Sequence, residues 1–173
     1  QLRECLDKGR AAVFFSATLL PMPYYKHLLG EEEDYAVYAQ TPFCQENRLL
    51  MLCRDVSSRY TRRNRAEYEK IASYLREMTH QKKGNYLAFF PSSRMMLDVY
   101  DIFEEENQEE VECVLQKSGM QEREREDFLA RFEEGEKERS LLGFCVLGGI
   151  FSEGIDLKRE ALIGAAVIGT GLP

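Results

Sequence analysis

The stretch FCVLGGIFSEGIDL, residues 144–157, constrains the fold of this chain more than any other segment. An apolar run ends at Gly148 and Gly149, a polar, acidic loop follows, and a second apolar run begins at Ala161. This pattern is typical of a buried strand, a glycine loop at its carboxyl end and then another strand. In a parallel sheet, such a loop places functional residues at the edge of the sheet. A tight loop without a ligand explains the glycine spacing about equally well, because such loops are common.

Short apolar runs alternate with helical periodicity along the rest of the chain. Helices are predicted over residues 1–9, up to Leu29 with Gly30 as its cap, and over about 65–79, 92–103 and 121–132, the last ended by Gly135. This alternation predicts βαβ units and therefore an α/β doubly wound, mainly parallel sheet in a single domain. The strands are predicted at 11–15, 35–39, 48–53, 85–90, 111–115, 141–147 and 162–168.

Hydroxyl side chains follow two of the predicted strands. Right-handed crossovers would put the turn at Ser92 on the same carboxyl edge as the loop 148–156, and Ser92 or Ser93 would cap the next helix. Ser16 and Thr18 follow the strand predicted at 11–15. They either cap the following helix or touch a ligand, and capping is the favoured interpretation.

Charge and cysteine content limit the classes of protein. The net charge of −7 over 173 residues argues against a wholly basic nucleic-acid binder. Arg54 to Arg65 nevertheless contains five arginines, which a solvated helix start explains most simply. Five widely spaced cysteines without a C-x-x-C pair predict reduced thiols, a cytoplasmic protein and no metal site. No apolar stretch reaches 18 residues, so no membrane insertion is expected.

The acidic residues of the loop restrict its chemistry. Glu153 and Asp156 would repel a bare phosphate, whereas Ser152 could reach a phosphate oxygen. Carboxylates at a nucleotide site suit a ribose hydroxyl, a hydrated magnesium ion or a cation from a facing surface. The loop therefore predicts half of a composite site that another domain completes. Stand-alone catalysis lacks support, since the phosphate-loop, serine-hydrolase and zinc motifs are missing from the sequence.

Six segments occur in an order that is specific for one family. In this order they closely resemble the second motor domain of the DinG/XPD family of superfamily-two DNA helicases, over almost the whole chain. The segments are FFSATL at 14–19, TPF at 41–43, DVSSRYTRRN at 55–64, GNYLAFFPSSRMM at 84–96, LQKSGM at 115–120 and GGIFSEGIDLKREALIGAAVIGTGLP at 148–173.

The resemblance implies a RecA-like fold with helices on both faces of the sheet. Residues 1–40 would hold the end of the first motor domain and a linker, and residues 41–173 a second motor domain that stops before motif VI. Residues 86–93 are similar to motif IV and residues 152–156 to motif V. Motif III would comprise Ser16, Ala17 and Thr18.

The resemblance also implies site residues. Glu153, Gly154 and Asp156 would be catalytic, because they would couple the nucleotide state to the grip on DNA at the cleft between the motor domains. The expected DNA-binding residues are Ser92, Ser93, Phe151, Ser152, Arg59, Arg62 and Arg63.

For the full-length protein, the resemblance implies ATP-dependent translocation along single-stranded DNA in the 5′ to 3′ direction. It also implies a role in DNA repair. ATP and Mg²⁺ would be its cofactors, and the first motor domain of the same polypeptide would be the partner. The chain looks like an excised piece without the phosphate loop, the D-E-A-H box and motif VI. We therefore expect it to bind no cofactor and to be inactive by itself.

The chain departs from the family pattern at one position, and two alternative functions stay open. Arg159 stands where the family usually has glycine, so the turn into the last strand is expected to differ. A non-enzymatic α/β interaction module that retains the motor-domain fold is the main alternative. A Rossmann-type nucleotide enzyme ranks lower, because a G-x-G-x-x-G after an early strand is missing from the sequence.

Overall fold

The computed structural model describes residues 2–30, 32–107, 110–134 and 138–170. The chain divides into two compact units, residues 1–51 and 52–173. Within the described residues, no helix is both long enough and apolar enough to cross a membrane.

The unit 1–51 contains two short helices, α1 (Leu2–Leu6) and α2 (Met22–Leu29). Helix α2 follows Pro21 and ends where the Gly30 amide donates to the Lys26 carbonyl at 2.9 Å. The predicted helix up to Leu29 and its glycine cap are therefore confirmed. A 3-10 turn at Gln45–Asn47 completes the regular structure described in this unit.

The strands predicted at 11–15, 35–39 and 48–53 are wrong. The described backbone is irregular in all three segments and pairs with no strand. Their apolar side chains face solvent, as the exposed fractions of Phe15 (90%) and Leu49 (81%) demonstrate. An apolar run becomes a buried strand only where neighbouring strands and a covering layer are present, and among the described residues neither lies against these three segments.

The unit 52–173 is built on a four-stranded parallel sheet with the strand order β2-β3-β1-β4. Phe90 pairs with Val146, so β1 and β3 end side by side at the carboxyl edge. The predicted parallel sheet is confirmed, although the last two strands begin or end up to two residues from their predicted limits. The strands are β1 (Asn85–Phe90), β2 (Val111–Leu115), β3 (Ser140–Val146) and β4 (Gly164–Val167).

Helices cover both faces of this sheet, as the doubly wound prediction requires. Helices α3 (Arg65–Gln81) and α4 (Ser93–Asn107) pack on one face, together with Phe90 and Phe144. Helix α5 (Glu122–Glu133) packs on the other face through Phe128 and Phe132, against Leu87 and Cys145. Successive residues of a strand point to opposite faces, so the near-continuous apolar runs of β1 and β3 serve both layers.

Polar side chains define where the three helices of this unit begin. Asn64 caps α3 by accepting a hydrogen bond from the Glu67 amide at 3.0 Å, and the Ser92 hydroxyl accepts one from the Met95 amide at 3.3 Å. The prediction that Ser92 or Ser93 caps α4 is thus confirmed for Ser92. Gln121 and Glu124 form a capping box at α5. The predicted stop at Gly135 lies outside the described residues.

Asn85, at the first position of β1, links this strand by hydrogen bonds to helix α5 and to the connection before β4. Its buried side-chain amide donates to the carbonyl of Phe132 in α5 at 2.9 Å and to that of Ala161 at 3.1 Å. Ala161 ends a 3-10 turn (Arg159–Ala161) that leads into β4. The connection into the last strand is therefore fixed from inside the sheet.

Candidate functional site

A cleft of about 270 Å³ lies at the carboxyl edge of the sheet. The Leu147 amide donates to the Phe90 carbonyl at 2.8 Å, which brings the ends of β1 and β3 together. The predicted meeting of the turn after β1 with the loop after β3 is confirmed. The lining residues are Ser93, Gln116–Met120 and Val146–Ile150.

The loop from Gly148 to Asp156, named the glycine loop below, is shaped by backbone requirements at its start. Gly148 has φ +70°, which side-chain-bearing residues rarely adopt. The Ser152 amide donates to the Gly149 carbonyl at 3.0 Å, and the Ser152 hydroxyl donates to the Val146 carbonyl at 3.1 Å. Ser152 therefore closes the turn onto the end of β3 while its side chain stays partly exposed.

Phe151 anchors the glycine loop in the core. Its side chain is 1% exposed and stacks on Phe128 of α5, with ring centroids 4.2 Å apart. A side chain buried in this way offers no surface to DNA. Contact with DNA at this turn is left to the backbone and to Ser152, and that role of the turn stays a prediction.

The predicted catalytic residues occupy the second half of the glycine loop. Glu153 and Asp156 are exposed, and the Asp156 carboxylate pairs with the Lys158 ammonium at 3.2 Å. Between them, Gly154 has φ +70°, and its carbonyl accepts a hydrogen bond from Arg125 Nη2 at 3.1 Å. The two carboxylates thus flank a backbone group held by α5, and both are accessible to a ligand or a facing surface.

Gln116 is a site residue that the sequence interpretation missed. Its Oε1 accepts a hydrogen bond from the Val146 amide at 2.9 Å. A Cβ at Gly149 would lie 2.6 Å from Gln116 Nε2 and 2.9 Å from the Val146 carbonyl oxygen, so a side chain there would displace Gln116 and press on the backbone. Gln116 and Lys117 directly follow β2, a predicted strand of the same sheet. Their position at a strand's carboxyl end was the signal that could have identified them.

The arginines before α3 are used mainly in local structure. Arg62 pairs with Glu67 at 2.9 Å, and this buried carboxylate also accepts a hydrogen bond from the Ser57 amide. Arg63 Nε donates to the Ser58 carbonyl at 3.0 Å. Arg59 is exposed. These contacts favour the interpretation as a helix start for Arg62 and Arg63, and DNA binding by the three arginines stays untested.

Ser16, Ala17 and Thr18 lie in the unit 1–51 and form a small exposed turn. The Ser16 hydroxyl accepts a hydrogen bond from the Thr18 amide at 3.2 Å and lies 3.1 Å from Thr18 Oγ1. The favoured prediction that these hydroxyls cap α2 is wrong, because Pro21 is the N-cap and no side chain bonds there. Both hydroxyls are instead satisfied within their own turn.

Two thiols of the unit 52–173 lie within the sheet, where Cys145 is buried and Cys113 is partly buried. Burial raises the pKa of Cys145 in β3 to about 12, and burial is also the main reason why the pKa of Cys113 in β2 is raised. A group of three or more histidine, cysteine or acidic side chains placed to hold a metal ion does not occur in the part of the chain that the structure describes. Both thiols pack against the hydrophobic core.

Comparison with known proteins identifies the family. Residues 75–173 match the family model of the helicase C-terminal domain. The structure resembles that of an XPD helicase, with a TM-score of 0.50 and 23% identity over 66% of this chain, which corresponds to 19% of that structure. T4 UvsW aligns at a TM-score of 0.41 and 15% identity over 62% of this chain and 26% of that one. The chain belongs to the helicase C-terminal domain family.

Proposed function

We propose that this chain is part of an ATP-dependent DNA helicase of the DinG type, which moves 5′ to 3′ on single-stranded DNA. The chain would supply one half of the ATP site between two motor domains and part of the DNA-binding surface. The carrying observation is the cleft at the carboxyl edge, where Ser93 and Lys117 meet the glycine loop in a member of this family.

The DNA-binding half of the proposal rests on the chemistry of that cleft. Ser93 and Lys117 offer a hydroxyl and an ammonium group, and a ligand can approach the backbone at Gly148 and Gly149 without hindrance from a β-carbon. Such donors suit the phosphates of a single strand, for which contacts with the backbone need no base sequence. Arg59, exposed before α3, would add a longer-range attraction.

The nucleotide half of the proposal rests on Glu153 and Asp156. Both are exposed carboxylates on a loop whose backbone is fixed by hydrogen bonds. Carboxylates of this kind fit a hydrated magnesium ion or a cation from a facing domain. Bound ATP with Mg²⁺ would supply the free energy for movement, and the first motor domain would supply the remaining groups.

Removal of the Lys117 ammonium tests the DNA surface. In the full-length protein, Lys117→Ala should weaken binding of a labelled single-stranded oligonucleotide and reduce the slope of log affinity against log salt by about 0.7, the value for one phosphate contact. Lys83→Ala is the matched control, since Lys83 is an exposed lysine that precedes β1 at the opposite edge. Equal losses in both variants would contradict a specific role for the cleft.

ATP turnover separates the helicase from the main alternative. The full-length protein should hydrolyse ATP faster when single-stranded DNA is present, whereas the isolated chain should not hydrolyse it at all. Turnover by the isolated chain would contradict the composite site. A folded full-length protein that lacks DNA-stimulated turnover would favour a non-enzymatic interaction module instead.

A further inference from the structure

Helix α5 contacts the glycine loop next to its two carboxylates. We propose that Arg125, in the second turn of α5, is a positioning residue that holds Gly154 and thereby orients Glu153 and Asp156. The inference rests on the proposed function, because these two carboxylates matter only if the loop takes part in nucleotide coupling. Arg125 would touch neither ATP nor DNA.

The geometry of Arg125 suits this role. Nη2 donates to the Gly154 carbonyl at 3.1 Å, while Nη1 donates to Glu122 Oε1 at 2.8 Å. The side chain is 24% exposed, and the capping box at Gln121 and Glu124 fixes the turn of helix that precedes it. Because Glu122 already holds one terminal nitrogen of the guanidinium, the side chain has little rotamer freedom left to lose. Its hydrogen bond to Gly154 is therefore pre-organised.

The first half of the glycine loop does not depend on Arg125. Gln116 holds the end of β3 through the Val146 amide, Ser152 closes the turn, and Phe151 is stacked on Phe128. Phe128 lies one helical turn after Arg125, so both side chains reach the loop from the same face of α5. Helix α5 therefore contacts the loop through the ring of Phe128 and through the hydrogen bond of Arg125.

In the second half of the glycine loop, Ile155 is restrained by apolar packing against the cluster that contains Phe128 and Phe151. Among the described residues, the remaining hydrogen bond or ion pair made by residues 153–157 is the exposed pair between Asp156 and Lys158. An exposed pair of this kind contributes little. Without Arg125, the Gly154 carbonyl would lose its hydrogen-bond partner, and the residues between the apolar contacts of Phe151 and Ile155 would move more freely. Glu153 lies within that stretch and would lose its fixed direction, whereas Asp156 follows Ile155 and would be affected less.

Proteolysis of the native full-length protein measures this restraint directly. Glutamyl endopeptidase should cleave after Glu153 about tenfold faster in Arg125→Met than in the unaltered protein, since one charge-assisted hydrogen bond less opposes local opening. Glu122→Gln is the matched control, because it removes the ion pair of Arg125 and keeps the bond to Gly154. Arg125→Lys, which retains one cationic donor, should give an intermediate rate.

Cleavage after Glu77 in α3 serves as the internal reference. It should stay constant in Arg125→Met; a parallel rise there, or equal rates for Arg125→Met and Glu122→Gln after Glu153, would overturn the proposal.

In DNA-stimulated ATP hydrolysis, Arg125→Met should lower kcat about tenfold with little change in KM. An unchanged kcat alongside faster cleavage would overturn the positioning role. If the unaltered protein hydrolyses no ATP, the proposed function fails, while the proteolysis still reports whether Arg125 holds the loop.

Discussion

The two units of this chain treat similar apolar side chains in opposite ways. In the unit 52–173, Phe90 and Phe144 lie wholly buried between the sheet and its helices. In the unit 1–51, Phe15 and Tyr35 are almost wholly exposed. The contrast teaches that an apolar run acquires its structure from the layers that cover it, and that hydrophobicity alone does not make a strand.

The sharpest test of this contrast is a pair of phenylalanine truncations. Phe144 stacks on Phe90, with ring centroids 5.8 Å apart, and meets Tyr100 and Phe103 edge-on. We expect Phe144→Ala to lower the free energy of unfolding by about 3–5 kcal/mol, as for other buried aromatic side chains. Phe15→Ala should change it by less than about 0.5 kcal/mol. Urea denaturation of the two variants measures both values, and a large effect of Phe15→Ala would break the comparison.

Thiol reactivity extends the same comparison to cysteines. Cys44 is exposed in the unit 1–51, whereas Cys145 is buried in β3. Because burial raises the pKa of Cys145 to about 12, its thiolate fraction at pH 8 should be about a thousandfold smaller than for an ordinary thiol. Alkylation by iodoacetamide, followed by mass spectrometry, should modify Cys44 first. Rapid labelling of Cys145 in the native protein at pH 8 would mean that β3 is not shielded.

The smallest expected effect concerns the irregular segment that begins the unit 52–173. The Tyr74 hydroxyl of α3 donates to Asp55 Oδ1 at 2.8 Å, and this bond lowers the pKa of the Asp55 carboxyl. The stabilisation is present above the pKa of the unfolded chain and is lost as the pH falls through the lower, folded value. Tyr74→Phe should therefore lower Tm slightly at pH 7 and leave it unchanged in strong acid. A difference that persists in acid would point to lost packing instead.

The parts of the fold that were predicted correctly share one property. Strands β1 and β3 are apolar on both faces and are separated by amphipathic helices, so local pattern and long-range packing favour the same structure. The strands predicted before residue 54 had an equally apolar pattern, but helix α2, which separates the first two of them, buries none of its side chains. Their exposure in the structure follows from partners that the described part of the chain does not provide.

The candidate site was predictable to a smaller extent. The glycine loop stood out because its glycines and carboxylates interrupt an apolar pattern. For Gln116 the signal was limited to its position at the carboxyl end of a predicted strand. Arg125 gave no signal, since an arginine within a highly charged helix is typical of solvated surface. Their importance arises from the order of strands and the placement of α5, which bring together residues 29 positions apart.

The buried amide of Asn85 has a mechanical consequence. It holds the last turn of α5 and the connection into β4 at the amino edge of the sheet, while Arg125 and Phe128 hold the glycine loop near the beginning of the same helix. Helix α5 is thus linked to the glycine loop through Arg125 and Phe128, and through Asn85 to the connection into β4. A tilt of α5 would move the loop and the entry to β4 together, as a rigid body rather than as separate flexible parts.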